Sequence, residues 1–379
     1  GAEDDCDQVP SVIQRGASNS WYPVLASAIS IPPWSDAIHR FLGKSWSVWR
    51  GFPDQGLESI LEGHATIISS EYSADEAASA IRQRWRREAG VETTEVRLRD
   101  QEYEALIHGR QDESHHQEFV CVPSPQSAES GIPTWFDHVM LVKRLREVRV
   151  LRAFTRLYPP GQSPLPEEEQ QASLSASDTS WLPGIEVNGE GVFLGLDPDR
   201  LAAWEGRESV RQRVSSLNEN YDRRARRHGN EPDREITPRL VGIHTLAHVL
   251  IDQWALDCGY PTAALRERLY VSDDMAGLLI YTATSDSAGS LGGVVAMGGS
   301  DILGAALRSA MGRTKWCSAD PLCLEAGNQG VDALNLAACH SCVLLPETCC
   351  EEMNLFLDRA LLVGTPDEPD IGLFADLIS

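Results

Sequence analysis

Residues 316–323, WCSADPLC, and 334–354, LNLAACHSCVLLPETCCEEMN, hold six of the chain's nine cysteines and decide how its C-terminal part must fold. Cys339-His340-Ser341-Cys342 is a CxxC knuckle, whose two thiolates can reach one tetrahedral ion from a single tight turn. Cys323 and Cys350 lie on either side, close enough in sequence to complete a four-sulfur site with Cys339 and Cys342. A metal held by four sulfurs keeps no open position for water, so a zinc ion there holds structure and does not catalyse. Three plainer readings compete. Disulfides need an oxidising compartment, yet nothing at the start reads as a signal peptide, and Cys6, Cys121 and Cys258 are scattered. Buried free thiols would pack as small hydrophobes. A thioredoxin-like redox pair needs a strand and then a helix around the CxxC, and no strand signal precedes Cys339.

Working outward, 379 residues suffice for two ordinary domains, and a hydrophobic content of 42% suits globular cores. No apolar run reaches membrane-spanning length. Cysteine usage predicts a reducing, cytoplasmic setting. The net charge of −23 argues against a whole surface given to nucleic acid, because phosphate would be repelled. The basic residues are nonetheless grouped, at Arg82–Arg87, at Lys143–Arg156 and at Arg211–Arg227. Such runs usually form solvated faces paired with nearby acids.

The start, GAEDDCDQVP, has no methionine and reads as the middle of a longer chain. Residues 74–90 predict a charged helix ending at Gly90, with Gln101 to Ile107 helical as well. Apolar Val139, Leu141, Val142, Leu145, Val148 and Leu151 recur at helical spacing among basic residues, which predicts an amphipathic helix over 139–152. Residues 159–180, rich in Pro, Ser and acid, have nothing to bury. They divide the chain into a domain at 1–160, a linker at 161–180 and a domain at 181–379. Gly184 to Leu194 predicts a hairpin turning at Asn188-Gly189. Asp197 to Arg227 predicts charged helix, Leu240 to Leu256 one buried helix, and Leu269 to Tyr281 helical signals around a short strand, GLLIYT. Residues 285–293, SDSAGSLGG, predict a loop, Ile302 to Ala310 a helix, and the stretch after Cys350 an amphipathic helix carrying Met353, Phe356, Leu357, Ala360 and Leu361.

His244 and His248 sit four apart on the buried helix and share a face, with Asp252 extending the stripe. Two histidines so spaced can bind zinc, but Thr245 stands where the HExxH motif places its general-base glutamate. A polar stripe bonded to neighbouring backbone is the plainer reading. Gly43-Lys44-Ser45 resembles the end of a P-loop, but Ile38 stands where that motif needs its first glycine. The Gly-rich 285–293 loop lacks a lysine.

The stretches RGASNSWYPVLASAISIPPW, DHVMLVKRLREVRVLRAFTR, IEVNGEGVFL, HTLAHVLI, GLLIYTATSDSAGSLGG, WCSADPLC and LAACHSCVLLPETCCEEMNLFLDRALLVG together resemble the DrmB family. That family supplies the accessory subunit of the bacterial DISARM anti-phage system. The last third is similar to the MrfA-type zinc-binding domain. The resemblance implies a partner, a DrmA-type helicase ATPase, with DNA reached mainly through that complex. It also implies zinc ligands at Cys323, Cys339, Cys342 and Cys350, with Cys317 a substitute for Cys323. Cys349 stands where the family more often has serine, which leaves Cys349 and Cys350 as alternatives. A further N-terminal region with its own cysteines is implied as well, with Cys6 as its remnant.

The expectation is therefore a mixed α/β fold, helix-dominant, with a small sheet in each half and the zinc knuckle packed on the helix after Cys350. Its function is non-catalytic, supporting a helicase on foreign DNA. The second reading is a metal-dependent nuclease using His244, His248 and Asp252, with Asp286 as a further ligand. A third is a DNA-binding module working through Arg223 to Arg227.

Overall fold

The computed structural model describes residues 21–32, 34–63, 72–89, 95–111, 118–125, 134–156, 171–175, 177, 179, 181–227, 231–282 and 292–377. The chain forms two compact units. One comprises 1–27, 149–185 and 222–233; the other comprises 28–148, 186–221 and 234–379. In the first, the C-terminal part of a long strand pairs with β4 (Ala172–Ser173) through Ala153 and Phe154. The Leu151 amide there donates to the Pro183 carbonyl at 2.9 Å, and Arg156 lies over the Trp21 ring.

The fold is mixed α/β. One seven-stranded sheet runs in the order β1 (Trp21–Ile29), β3 (Phe136–Arg156), β5 (Gly184–Leu196), β7 (Ala276–Thr282), β6 (Leu265–Val271), with β2 (Val120–Pro123) and β4 also pairing with β3. This replaces the expected small sheet in each half.

Four sequence expectations are corrected. Residues 139–152 belong to β3 and not to a helix. Their apolar spacing fits both periods, and the β-branched Val139, Val142, Val148 and Val150 settle into a strand once β2 pairs alongside. Asn188-Gly189 makes no turn, since β5 runs unbroken from Gly184 to Leu196. A Cβ on Gly191 would lie 2.3 Å from the Ile280 carbonyl oxygen. The glycines there admit the neighbouring strand rather than turn the chain. Met353 to Leu361 forms only a short helix, Ala360–Val363, because Met353, Asn354 and Phe356 have positive φ. The helix expected beneath the knuckle is therefore absent. The helical signals read around GLLIYT likewise give way to β6, paired antiparallel with β7.

Other helices lie where the pattern placed them, at Ala74–Ala89, Glu95–His108, Pro198–Glu205, Glu208–Arg227, Pro238–Cys258 and Ser300–Thr314. Gly90, Asp286 and most of the 161–180 and 285–293 stretches fall outside the described residues.

The Pro238–Cys258 helix is the axis of the larger unit. Every residue from Leu240 to Ile251 is buried, so it has no solvent face and is covered on all sides. β6, β7, the Ser300–Thr314 helix and the Ala360–Val363 turn pack around it. A fully buried Leu, Ile or Val contributes about 1.5–3 kcal/mol, so this helix is held by burial more than by propensity. Its ends are defined locally. Thr237 accepts a hydrogen bond from the Leu240 amide at 3.2 Å, Pro238 opens the first turn, and Gly259 closes the last with φ 71°. Thr237→Ala is expected to lower stability by about 1 kcal/mol. A urea-denaturation midpoint unchanged by the substitution would mean that the cap contributes nothing.

Strand alternation then distributes the polar residues of β6. Leu265, Glu267 and Leu269 face the Pro238–Cys258 helix, while Arg268 and Tyr270 face the opposite cluster with Phe119, Val142 and Phe193. On that second face Arg268 meets Glu102 through two bonds, of 2.6 and 2.7 Å, both side chains being 1% exposed. The Ile29 amide and the Tyr270 hydroxyl also donate to Glu102.

Candidate metal centre

The last turn of the Ser300–Thr314 helix delivers the chain into the first cysteine segment. Asp320 folds that segment back. Its amide donates to the Cys317 carbonyl at 2.9 Å, and its carboxylate accepts from the Cys317 amide at 2.8 Å. The Cys323 amide donates to the Ala319 carbonyl at 3.1 Å. Arg359, fully buried, donates to the carbonyls of Thr314 and Lys315 and pairs with the Asp320 carboxylate. One cation thus ties the helix end to the cysteine turn.

The second segment is the knuckle. The Cys339 carbonyl accepts from the amides of Cys342 and Val343 at 3.0 and 3.1 Å. The Cys339 amide donates to the Cys342 sulfur at 3.3 Å, and the Ala319 amide to the Cys317 sulfur at 3.4 Å. Such N–H···S contacts stabilise sulfur in its anionic form, which is the form that binds metal.

These turns bring Cys317, Cys323, Cys339 and Cys342 together, with all four sulfurs within 4.8 Å of one another. Cys317–Cys339, Cys339–Cys342 and Cys323–Cys342 are 3.5, 3.7 and 3.8 Å apart. A disulfide requires about 2.05 Å, and these cysteines are free. Zn–S bonds of about 2.3 Å in a tetrahedron separate the sulfurs by about 3.8 Å, so the four donors fit that ion. Burial pushes the Cys323 and Cys342 thiols up, and a bound cation reverses that preference. Zinc with four thiolates carries two net negative charges, and the Arg359 guanidinium beside Cys323 offsets part of them.

The grouping differs from the sequence expectation in one member. Cys323, Cys339 and Cys342 are joined by Cys317, not by Cys350. The 3₁₀ turn Glu347–Cys349 follows Pro346 and carries Cys350 away from the knuckle, toward the Pro238–Cys258 helix. Cys349 donates to the Thr262 carbonyl.

Cys350 lies instead with His244, His248 and Glu267, all four buried, their donor atoms again within 4.8 Å of one another. His244 Nε2 is 3.2 Å from the Cys350 sulfur and 3.2 Å from Glu267 Oε1. His248 Nε2 is 3.7 Å from the same carboxylate oxygen, and His248 Nδ1 donates to the Val343 carbonyl at 3.0 Å. The two imidazoles meet edge to face at 4.5 Å. Burial works against ionising Glu267, but the adjacent histidines hold its carboxyl well below the usual range. His244, desolvated but facing Glu267, is raised. The stripe read from the sequence therefore holds for the histidines and not for Asp252, which pairs with Arg313 at 2.7 Å. Glu267 carried no motif. Its one signal was an acidic residue on the apolar side of a strand, between Leu265 and Leu269. In the Arg223–Arg227 run Arg224 is buried and Arg226 lies 3.8 Å from Asp222, so the run is not a uniformly exposed cationic face.

Residues 246–343 match the MrfA Zn-binding domain family. That stretch contains all four clustered sulfurs and ends before Cys350. With the sulfur geometry, the match supports a structural zinc. Along its length the chain is similar to the DISARM protein DrmB of Bacillus paralicheniformis. The two are 30% identical over 406 aligned residues, covering 99% of this chain and 68% of that protein. Among the described residues no helix is long and apolar enough to cross a membrane.

Proposed function

The chain belongs to the DrmB family of DISARM proteins, and on that footing we propose that it is a non-catalytic accessory subunit of an anti-phage defence complex. In this reading it partners a DrmA-type helicase ATPase and supports that enzyme's engagement of foreign DNA, within the cytoplasm. The observation that carries it is the relationship to DrmB over 99% of the chain. The centre described above adds to it. With Cys317, Cys323, Cys339 and Cys342 as ligands, zinc is fully coordinated and cross-links two chain segments without offering a site to substrate.

Two further features favour docking on a DNA-handling partner. A net charge of −23 complements a basic surface and disfavours DNA binding by the chain alone. Trp316 and Leu322 are 70% and 79% exposed, directly beside the cysteine segment that the zinc would make rigid. Large apolar side chains on a rigid support are the usual anchors of an interface.

The test is co-expression with the helicase subunit followed by purification and DNA-binding titration. The pair is expected to co-purify. Trp316→Ser with Leu322→Ser is expected to weaken association about tenfold or more while leaving the melting temperature nearly unchanged. If the isolated chain bound DNA at physiological salt as tightly as the pair, the accessory role would be wrong.

A further inference from the structure

We propose that His244, His248, Glu267 and Cys350 form a second, closed metal site that takes zinc as a structural ion. The argument begins with unsatisfied atoms. His248 gives its Nδ1 proton to the Val343 carbonyl, which leaves Nε2 as the lone-pair nitrogen of a neutral ring. That nitrogen has no hydrogen-bond partner, and at 3.7 Å from Glu267 Oε1 it is beyond hydrogen-bond range. Glu267 Oε2 also lacks a partner, although the residue is fully buried. The Cys350 sulfur accepts the Asn354 amide at 3.2 Å, the same kind of contact that the knuckle cysteines receive. A neutral His244 has one Nε2 proton at most, for a sulfur and a carboxylate oxygen that are both 3.2 Å away.

Electron-pair donors thus converge in a dry site with too few protons between them. Glu267 Oε1 accepts the Glu351 amide at 2.9 Å, but buried polar atoms such as Oε2 and His248 Nε2 are seldom left without a partner. A divalent ion at the centre gives His244 Nε2, His248 Nε2, the Glu267 carboxylate and the Cys350 sulfur one common partner, and leaves only His244 Nδ1 outside it. Two neutral imidazoles, one thiolate and one carboxylate balance its charge. Bonds of about 2.0–2.3 Å in a tetrahedron set neighbouring donors about 3.3–3.8 Å apart, close to the separations observed. Mixed N, S and O ligation suits zinc rather than magnesium or calcium. His248 also shows the outer-shell bond expected of a zinc ligand, with its remote nitrogen donating to a backbone carbonyl. Four protein donors leave no open position, so the ion would pin the Pro238–Cys258 helix, β6 and the turn at Cys350 to one another.

The experiment is zinc content of the full chain by elemental analysis, with X-ray absorption at the zinc edge. About two ions per chain are expected, with an averaged shell of about 2.5 sulfurs near 2.3 Å and about 1.5 nitrogens or oxygens near 2.0 Å. One ion in an all-sulfur shell overturns the proposal and leaves the four-cysteine site standing. One ion in a shell with imidazole and a single sulfur supports it and overturns the other. No zinc overturns both. Glu267→Gln and His248→Gln are each expected to remove one ion and leave an all-sulfur shell. Two ions retained in both would count against the site. Should either variant fail to fold, the wild-type measurement still decides.

Discussion

Cys342→Ser is expected to abolish zinc binding at the knuckle and to unfold the region it closes. The scale of the effect follows from what the ion does. Structural zinc binds small zinc modules with about 10–16 kcal/mol at neutral pH, and that energy is folding energy. Whole domains are stable by only about 5–15 kcal/mol. Here the ion would cross-link a segment around Cys317 and Cys323 to a second around Cys339 and Cys342, each already fixed by Arg359 or by the Cys339 carbonyl. Loss of one thiolate also strands three buried or half-buried sulfurs. The measurement is a thermal melt combined with a colorimetric zinc-release assay. A variant that kept its zinc and melted within about 2 °C of the wild type would show that the knuckle does not hold the fold.

Glu102→Ala is expected to be the most damaging substitution away from the cysteines. It removes the carboxylate that receives Arg268, the Tyr270 hydroxyl and the Ile29 amide. Arg268 is 1% exposed, so its charge would remain in a dry core. Breaking one partner of a buried pair costs about 3–5 kcal/mol. For a chain of this size that lowers the melting temperature on the order of 10 °C. The double replacement Glu102→Leu with Arg268→Met removes both charges and is expected to recover most of the loss, because a well-packed apolar pair substitutes for a buried ion pair at little cost. A single variant as stable as the wild type would mean that water reaches Arg268.

Different parts of this architecture announce themselves in the sequence to different degrees, for physical reasons. The Pro238–Cys258 helix was legible because an apolar run of that length, bounded by Pro238 and Gly259, has few other uses. The sulfur site was legible as a cluster, but its fourth member was not. Cys350 lies far nearer the knuckle in sequence than Cys317 does, so proximity along the chain pointed to Cys350, and it is the turn at Pro346 that carries Cys350 away. Residues 139–152 were misread because spacing alone does not separate a two-sided strand from a helix. Asn188-Gly189 was misread because a glycine that admits a neighbouring strand looks the same as one that turns the chain. Glu267 escaped notice because its partners lie 19 and more residues away, on a helix whose rotation the sequence does not give.

The burial of the Pro238–Cys258 helix on every side has a consequence for biosynthesis. The Pro198–Glu205 helix that packs on it is made before it, but Leu265–Val271, Ala276–Thr282, Ser300–Thr314 and Ala360–Val363 are made after it. The last of these leaves the ribosome roughly 100 residues later, which at ordinary elongation rates is roughly 5–20 s. For that interval the nascent chain displays an apolar helix that is only partly covered, so yield in the cell should depend on chaperone supply and on translation speed downstream of Cys258.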